Sequence, residues 1–226
     1  MIRIAKTGST SIVRGLLGGI ENASHLTQGV FPNEWRSLYS FGFVRNPYDR
    51  LVSAWLMFQG YATATEEEKV FQAGLTLQRV MEVVENPEVS PVGNSYRSKL
   101  KLHCLPMTAP FFHLDQATEI YRFENYPEEY QRLAHQLGVP AGDVPHWRKS
   151  IRQPHQSYYT TRDRRRAEQL FQADLEAFGY EFNPSARRGS RVFTFFGLPR
   201  PRQFAAEPVL VPSASDGANA LIPTSG

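Results

Sequence analysis

The chain reads as an α/β protein with a mainly parallel sheet. Short apolar runs at residues 1–5, 39–44 and 118–123 carry the β-branched and aromatic residues of buried strands, and each leads into a segment of helical spacing. At 226 residues the chain is long enough for one sizeable core, and 41% apolar and 12% aromatic content fit a globular class rather than a disordered one. No internal repeat points to a solenoid instead.

The elements follow in order. After the first apolar run, residues 11–20 place Ile12, Val13, Leu16, Leu17 and Ile20 at helical spacing, with Gly18 and Gly19 loosening the end. Residues 21–35 form a polar connection containing Pro32. Tyr39-Ser40-Phe41-Gly42-Phe43-Val44 is a strand stopped by Arg45-Asn46-Pro47, and Leu51, Val52, Trp55, Leu56 and Phe58 resume a helical pattern. Residues 66–84 read as one long amphipathic helix ending at Asn86-Pro87. Residues 90–108, with Pro91, Gly93 and Pro106, read as irregular. A strand at 118–123 precedes a helix at 127–137, which has Pro at its start and Gly138 past its end. Residues 142–159 are polar, basic and aromatic and read as a long functional loop; residues 161–178 read as one helix. From Asn183 the composition shifts to Pro, Ser, Gly, Ala and Arg. A domain at 1–182 and an irregular extension at 183–226 are therefore expected, poorly ordered beyond about Phe196.

Composition bounds the function. The net charge of +3 suits an anionic ligand without demanding nucleic acid. A single cysteine, Cys104, excludes an intramolecular disulfide and allows a reducing compartment. No run of about 18 apolar residues and no secretory leader is visible, so a cytoplasmic location is expected, with an upstream segment left open. The oligomeric state is not specified.

Chemistry concentrates in two stretches. Ala5-Lys6-Thr7-Gly8-Ser9-Thr10-Ser11 reads as strand, tight turn and helix start, a geometry that aims backbone N–H groups and the helix dipole at an anion. Lys6 adds a cation, and Thr7, Ser9, Thr10 and Ser11 add hydroxyls. Capping alone would also explain those hydroxyls. The lysine precedes the glycine, whereas a nucleoside triphosphatase loop places it after the last glycine. In the second stretch, Phe43-Val44-Arg45-Asn46-Pro47-Tyr48-Asp49-Arg50-Leu51-Val52-Ser53, a strand delivers Arg45 to the carboxyl edge of the sheet. The next helix then returns Ser53 eight positions later, so the pair suits one phosphate, the arginine as a bidentate donor.

Together these stretches resemble the 5′-phosphosulfate loop and the 3′-phosphate motif of the sulfotransferases. The wording is closest to the carbohydrate branch, the heparan and chondroitin relatives of sulfotransferase family 2. Tyr121-Arg122-Phe123-Glu124-Asn125-Tyr126 and Asp174-Leu175-Glu176-Ala177-Phe178-Gly179-Tyr180 resemble later elements of that branch, so the likeness runs over residues 1–182. The resemblance implies a P-loop-like three-layer sandwich with a central, mainly parallel β-sheet flanked by helices. It implies transfer of a sulfuryl group from 3′-phosphoadenosine 5′-phosphosulfate (PAPS), without a metal, to an acceptor hydroxyl, that of a glycan above all. Carried over by position, Lys6, Thr7, Gly8, Ser9, Thr10 and Ser11 would cradle the 5′-phosphosulfate, and Arg45 and Ser53 would hold the 3′-phosphate. Lys6 would face the leaving oxygen.

A proton acceptor is also required. His103 in Leu102-His103-Cys104-Leu105-Pro106-Met107 resembles the branch's His-Trp-x-Pro element, with Cys104 where Trp is usual and Met107 where Gln is common. His113, His155 and an acidic residue remain candidates; Glu124 reads equally as a partner of Arg122. Arg148 and Lys149, with Arg152, lie in the basic loop with which family members often close the nucleotide site. Arg162, Arg164, Arg165 and Arg166 open a helix against its dipole, which the sequence leaves unexplained. The alternatives are a P-loop-like nucleotide kinase and a non-catalytic module binding adenosine phosphates or polyanions. The first lacks its lysine after the glycine; within the second, a basic polyanion module alone would not need both phosphate motifs.

Overall fold

A computed structural model describes residues 1–19, 37–63, 65–144 and 152–183. In chain order the elements are α1 (Ser9–Leu16), β1 (Phe41–Val44), α2 (Pro47–Gln59), α3 (Glu66–Ala73), α4 (Leu77–Glu85), α5 (Tyr96–Cys104), β2 (Glu119–Arg122), α6 (Tyr126–Leu137), α7 (Thr161–Leu170) and α8 (Gln172–Phe178). The class is α/β: a small parallel sheet flanked by helices. β1 pairs in parallel with β2, Phe41 opposite Glu119 through Val44 opposite Arg122. The first apolar run joins as a single parallel bridge, Ile2 to Gly42, rather than as a full strand. Its chain turns at once into the loop before α1, which leaves little length for pairing.

Period-two alternation explains why the sheet is covered on both faces. Phe41, Phe43 and Tyr121 point to one side and pack with Ile12 of α1 and Tyr126, Tyr130 and Leu133 of α6. Val44 and Ile120 point to the other, with Ile2, Ile4, Leu102, Met107, Leu114 and Phe178. A third cluster joins α2, α4, α5 and α7 through Leu51, Phe58, Val80, Leu100 and Ala167, with Phe171 just past α7. Burying each such side chain contributes about 1.5–3 kcal/mol. Asp174 joins α8 to the segment after α5. Fully buried, it accepts from the amides of Met107 and Thr108, both at 2.8 Å, and from the Thr108 hydroxyl at 2.7 Å.

Several boundaries differ from the sequence reading, each for a local reason. The segment expected as one helix over 66–84 is two, α3 and α4. The break falls at Gly74, and Thr76 caps the new start by accepting from the Arg79 amide at 3.3 Å. The stretch read as irregular contains α5, capped by Ser95, whose hydroxyl accepts from the Ser98 amide at 3.1 Å. The helix expected over 161–178 is α7 and α8, divided at Phe171. The start of α7 carries a reciprocal capping box, Thr160 with Asp163, which places a carboxylate in the first turn beside the arginines. Arg166 pairs with Glu85, and Arg164 lies over the Phe182 ring at 4.8 Å. Among the described residues no helix is long and apolar enough to cross a membrane. Of the extension from 183 onward, only Asn183 lies within the described residues.

Candidate active site

The loop before α1 is built by turning its carbonyl groups inward. Three successive carbonyls each accept from a side chain: Ile4 from Thr7 Oγ1 at 2.8 Å, Ala5 from Arg50 Nε at 3.0 Å, and Lys6 from Arg45 Nη1 at 2.8 Å. In a planar trans peptide the N–H points opposite to the C=O, so the amides of residues 5–7 face away from those donors. Lys6 adopts a left-handed φ of 69° and Gly8 one of 80°. For a lysine that conformation costs about 1–2 kcal/mol, and the Arg45 hydrogen bond holds it. Gly8 is also the N-cap of α1, where no side chain caps the helix, and the Ser11 amide donates back to the Gly8 carbonyl at 3.0 Å. A methyl group at Gly8 would lie 2.8 Å from the Tyr126 ring and 3.0 Å from that of Phe123, so glycine is needed for close approach as well as for its φ. Ser9 and Ser11 are buried and Thr10 is half-buried at the same corner. The Thr7 hydroxyl is committed inside the turn.

The second motif arrives as its sequence suggests. β1 ends at Val44, Asn46 caps α2 by accepting from the Tyr48 amide at 3.1 Å, and α2 brings Ser53 back. Arg45 Nη1 then lies 3.4 Å from Ser53 Oγ. The guanidinium stacks 4.3 Å from the Phe123 ring centroid, and Asp49 Oδ2 accepts from its Nε at 2.8 Å and its Nη2 at 2.6 Å. The two motifs are therefore one site, because Arg45 touches both Ser53 and the Lys6 carbonyl.

Asp49, which the sequence reading passed over, is the hub on this side. Its Oδ1 accepts from Arg152 Nη2 at 2.5 Å and lies 3.7 Å from His155 Nδ1. Burial alone would raise the Asp49 carboxyl, but His155, Arg45 and Arg152 together hold it well below the usual carboxylate range. His155 is fixed further by the Phe182 carbonyl, 2.9 Å from its Nε2, and by stacking on Tyr48. Tyr159 donates to the Tyr48 carbonyl at 2.9 Å and packs on the same rings; it is part of the core.

The histidines separate clearly. His103 lies in the last turn of α5, edge-on to Phe58 at 5.2 Å, and its Nδ1 is 2.7 Å from the Lys99 carbonyl. A carbonyl partner requires a proton on Nδ1, which leaves the lone pair of the neutral ring on Nε2. Burial pushes His103 down to about 4; the Lys99 carbonyl opposes this, and the nearby charges of Lys6 and Arg50 add to it. Lys6 Nζ reaches Met57 Sδ at 3.4 Å, and its ammonium lies near enough for its charge to act on His103. His113 sits between the short turns that lead into β2, and His155 belongs to the Asp49 cluster. Glu124 does not serve as the partner of Arg122. Its Oε1 accepts from the Asn46 amide at 2.6 Å and its Oε2 from the Tyr180 hydroxyl at 2.8 Å, while Arg122 donates to the Phe178 carbonyl. Burial pushes the Cys104 thiol up to about 12, which disqualifies it as a nucleophile at neutral pH. Arg148 and Lys149 lie outside the described residues. Among the described residues no group of three or more His, Cys, Asp or Glu side chains is arranged to hold a metal ion.

Arg50 is the largest omission of the sequence reading. Its signal was present: Arg50, Ala54 and Phe58 share one buried face of α2, where a charge is out of place.

Residues 1–181 match the sulfotransferase family. No curated protein and no solved structure matches the chain.

Proposed function

The chain belongs to the sulfotransferase family, and from that premise we propose that it transfers a sulfuryl group from PAPS to a carbohydrate hydroxyl. The observation that carries the reading is the 2.8 Å hydrogen bond from Arg45 Nη1 to the Lys6 carbonyl, which makes two anion sites neighbours. A nucleotide with phosphates at both its 5′ and 3′ positions needs such a pair. Arg45 and Ser53 hold the 3′-phosphate, with Asp49 orienting Arg45. Lys6, Thr7, Gly8, Ser9, Thr10 and Ser11 cradle the 5′-phosphosulfate, through main-chain amides and the hydroxyls of Ser9, Thr10 and Ser11, with the Thr7 hydroxyl bracing the turn. Arg148 and Lys149 are assigned to nucleotide binding as well. The domain spans 1–182 as a P-loop-like three-layer sandwich, and 183–226 is an appended extension.

In the transfer step the acceptor oxygen attacks sulfur in line. The new O–S bond forms as the bond to the 5′-phosphate oxygen breaks, and the electron pair stays on that phosphate. The Lys6 ammonium lies beside the oxygen that gains charge, so it favours the transition state over the ground state. His103 Nε2 takes the acceptor's proton. The anionic donor offsets the cations that depress His103, raising its basicity when it is needed. Tyr61 and Lys99, whose ammonium lies 5.9 Å from the Tyr61 ring, flank this side of α5. A ring and a cation of that kind suit a sugar face and its carboxylate or sulfate groups.

Thermal unfolding tests the donor assignment. Adenosine 3′,5′-bisphosphate at about 100 times its Kd should add about 2.7 kcal/mol of stability, roughly 5–10 °C for a chain of this size. ATP with magnesium should shift the midpoint much less. Equal shifts refute the donor assignment.

A further inference from the structure

We infer that Arg50 is a positioning residue of the transfer step: its guanidinium clamps the phosphosulfate loop to the end of α5, and so sets the separation of Lys6 from His103. The inference rests on the sulfuryl-transfer reading above.

Arg50 is 1% exposed, among the most deeply buried large side chains of the protein. Placing a guanidinium there carries a desolvation penalty, whereas an apolar residue would fill the same face of α2 without it. What the charge secures is visible in its partners. Nε donates to the Ala5 carbonyl at 3.0 Å, Nη1 to the Leu105 carbonyl at 2.7 Å and Nη2 to the His103 carbonyl at 3.1 Å. All three acceptors are main-chain atoms. One belongs to the residue before Lys6, one to His103 itself, and one to the C-cap residue of α5.

The last carbonyls of a helix lack partners within it. Here one planar fork satisfies two of them and reaches across to the loop with its remaining edge. A rigid fork fixes angle as well as distance, which a lysine ammonium on a flexible stem does not. Arg50 donates its hydrogen bonds to neither the Arg45–Ser53 pair nor the first turn of α1. Its loss should therefore leave the Arg45–Ser53 grip on the 3′-phosphate in place, and the loop keeps its Thr7 and Arg45 hydrogen bonds, while the two groups on either side of sulfur are released. A displacement of about 1 Å in such a pair costs about a hundredfold in rate.

The test compares wild type, Arg50→Lys and Pro106→Ala in full-length protein. Adenosine 3′,5′-bisphosphate titration counts the folded, nucleotide-competent sites, and kcat for PAPS-dependent transfer is expressed per site. Arg50→Lys should keep bisphosphate affinity within about threefold and lower kcat about a hundredfold. Pro106→Ala leaves Arg50 untouched but frees Leu105, which the proline holds extended at ψ 145°. It should lower kcat about fivefold with affinity unchanged. A kcat per site within threefold of wild type in Arg50→Lys overturns the inference. So do parallel losses of affinity and kcat, which would make Arg50 a support of the nucleotide site alone. If Arg50→Lys does not fold, Pro106→Ala decides, and an unchanged kcat per site overturns the proposal. Wild type that binds bisphosphate but transfers nothing sinks the sulfuryl-transfer reading, and this inference with it.

Discussion

Replacing Gly8 by alanine isolates what the loop before α1 contributes. Two costs combine there. A left-handed φ of 80° costs an alanine about 1–2 kcal/mol. The new methyl would also meet Tyr126 at 2.8 Å and Phe123 at 3.0 and 3.1 Å, distances real side chains do not tolerate without movement. Both rings are packed, Tyr126 against Phe43, Phe123 and Tyr130, so relief costs about 1–3 kcal/mol of repacking. The sum is about 2–5 kcal/mol, or roughly 5–15 °C in Tm. Gly138 supplies the control: its φ is 67°, yet a methyl there meets nothing within 4 Å. Gly138→Ala should therefore cost only the backbone part, about 1–2 kcal/mol, and leave nucleotide binding alone. Differential scanning fluorimetry of both variants, with and without adenosine 3′,5′-bisphosphate, reads stability and binding together. Gly8→Ala should lose most of the ligand-induced shift and Gly138→Ala none. If Gly8→Ala matched Gly138→Ala in Tm and kept the full shift, the reasoning about close approach and presented amides would be wrong.

Asp49→Asn should cost about 2 kcal/mol at neutral pH, because it leaves Arg45 and Arg152 partly buried without their anion. The folded-state pKa of Asp49 is depressed, so its contribution is complete above the unfolded value of 3.8 and is lost as pH falls through the folded value. Urea unfolding of wild type and Asp49→Asn should accordingly differ at pH 7 and at pH 5 and converge only below about pH 4. A difference that shrank between pH 7 and pH 5 would assign the effect elsewhere. For His103, the acid limb of kcat/KM should fall near the free-enzyme value of about 4, and that of kcat at higher pH once the donor's charge is present. His103→Ala should remove the limb, and an unchanged profile removes His103 as the base.

Much of the site was legible in the sequence because its parts are local. Arg45 and Ser53 are joined by one strand end and one helix, so an Asn-Pro stop and an eight-residue separation suffice to bring them together. The turn at Lys6 to Gly8 was legible from a single glycine among hydroxyl residues ahead of a helical pattern. What stayed hidden depends on distant partners. Asp49 reads as an ordinary first-turn acid until Arg152, 103 positions later, is placed against it. Arg50 reads as a surface arginine unless the buried face of α2 is traced through Ala54 and Phe58. The helix α5 was missed because it is short and bracketed by Pro91, Gly93 and Pro106, and its lysines mask the buried face. Lys101 is in fact buried, donating to the Asn86 carbonyl at 2.6 Å. The division of residues 66–84 was missed because apolar spacing continues past Gly74, while the cap at Thr76 is a single hydroxyl.

The central claim is that the two anion sites joined through Arg45 and Lys6 bind PAPS and that Lys6 acts on the leaving oxygen. Single-turnover transfer from labelled PAPS to a panel of glycan acceptors, by wild type and Lys6→Ala with bisphosphate affinity measured alongside, tests it most directly. Wild type should transfer label. Lys6→Ala should keep affinity within about tenfold while the rate falls by about a hundredfold or more. Transfer by Lys6→Ala at the wild-type rate, or bisphosphate binding by neither protein, would contradict it.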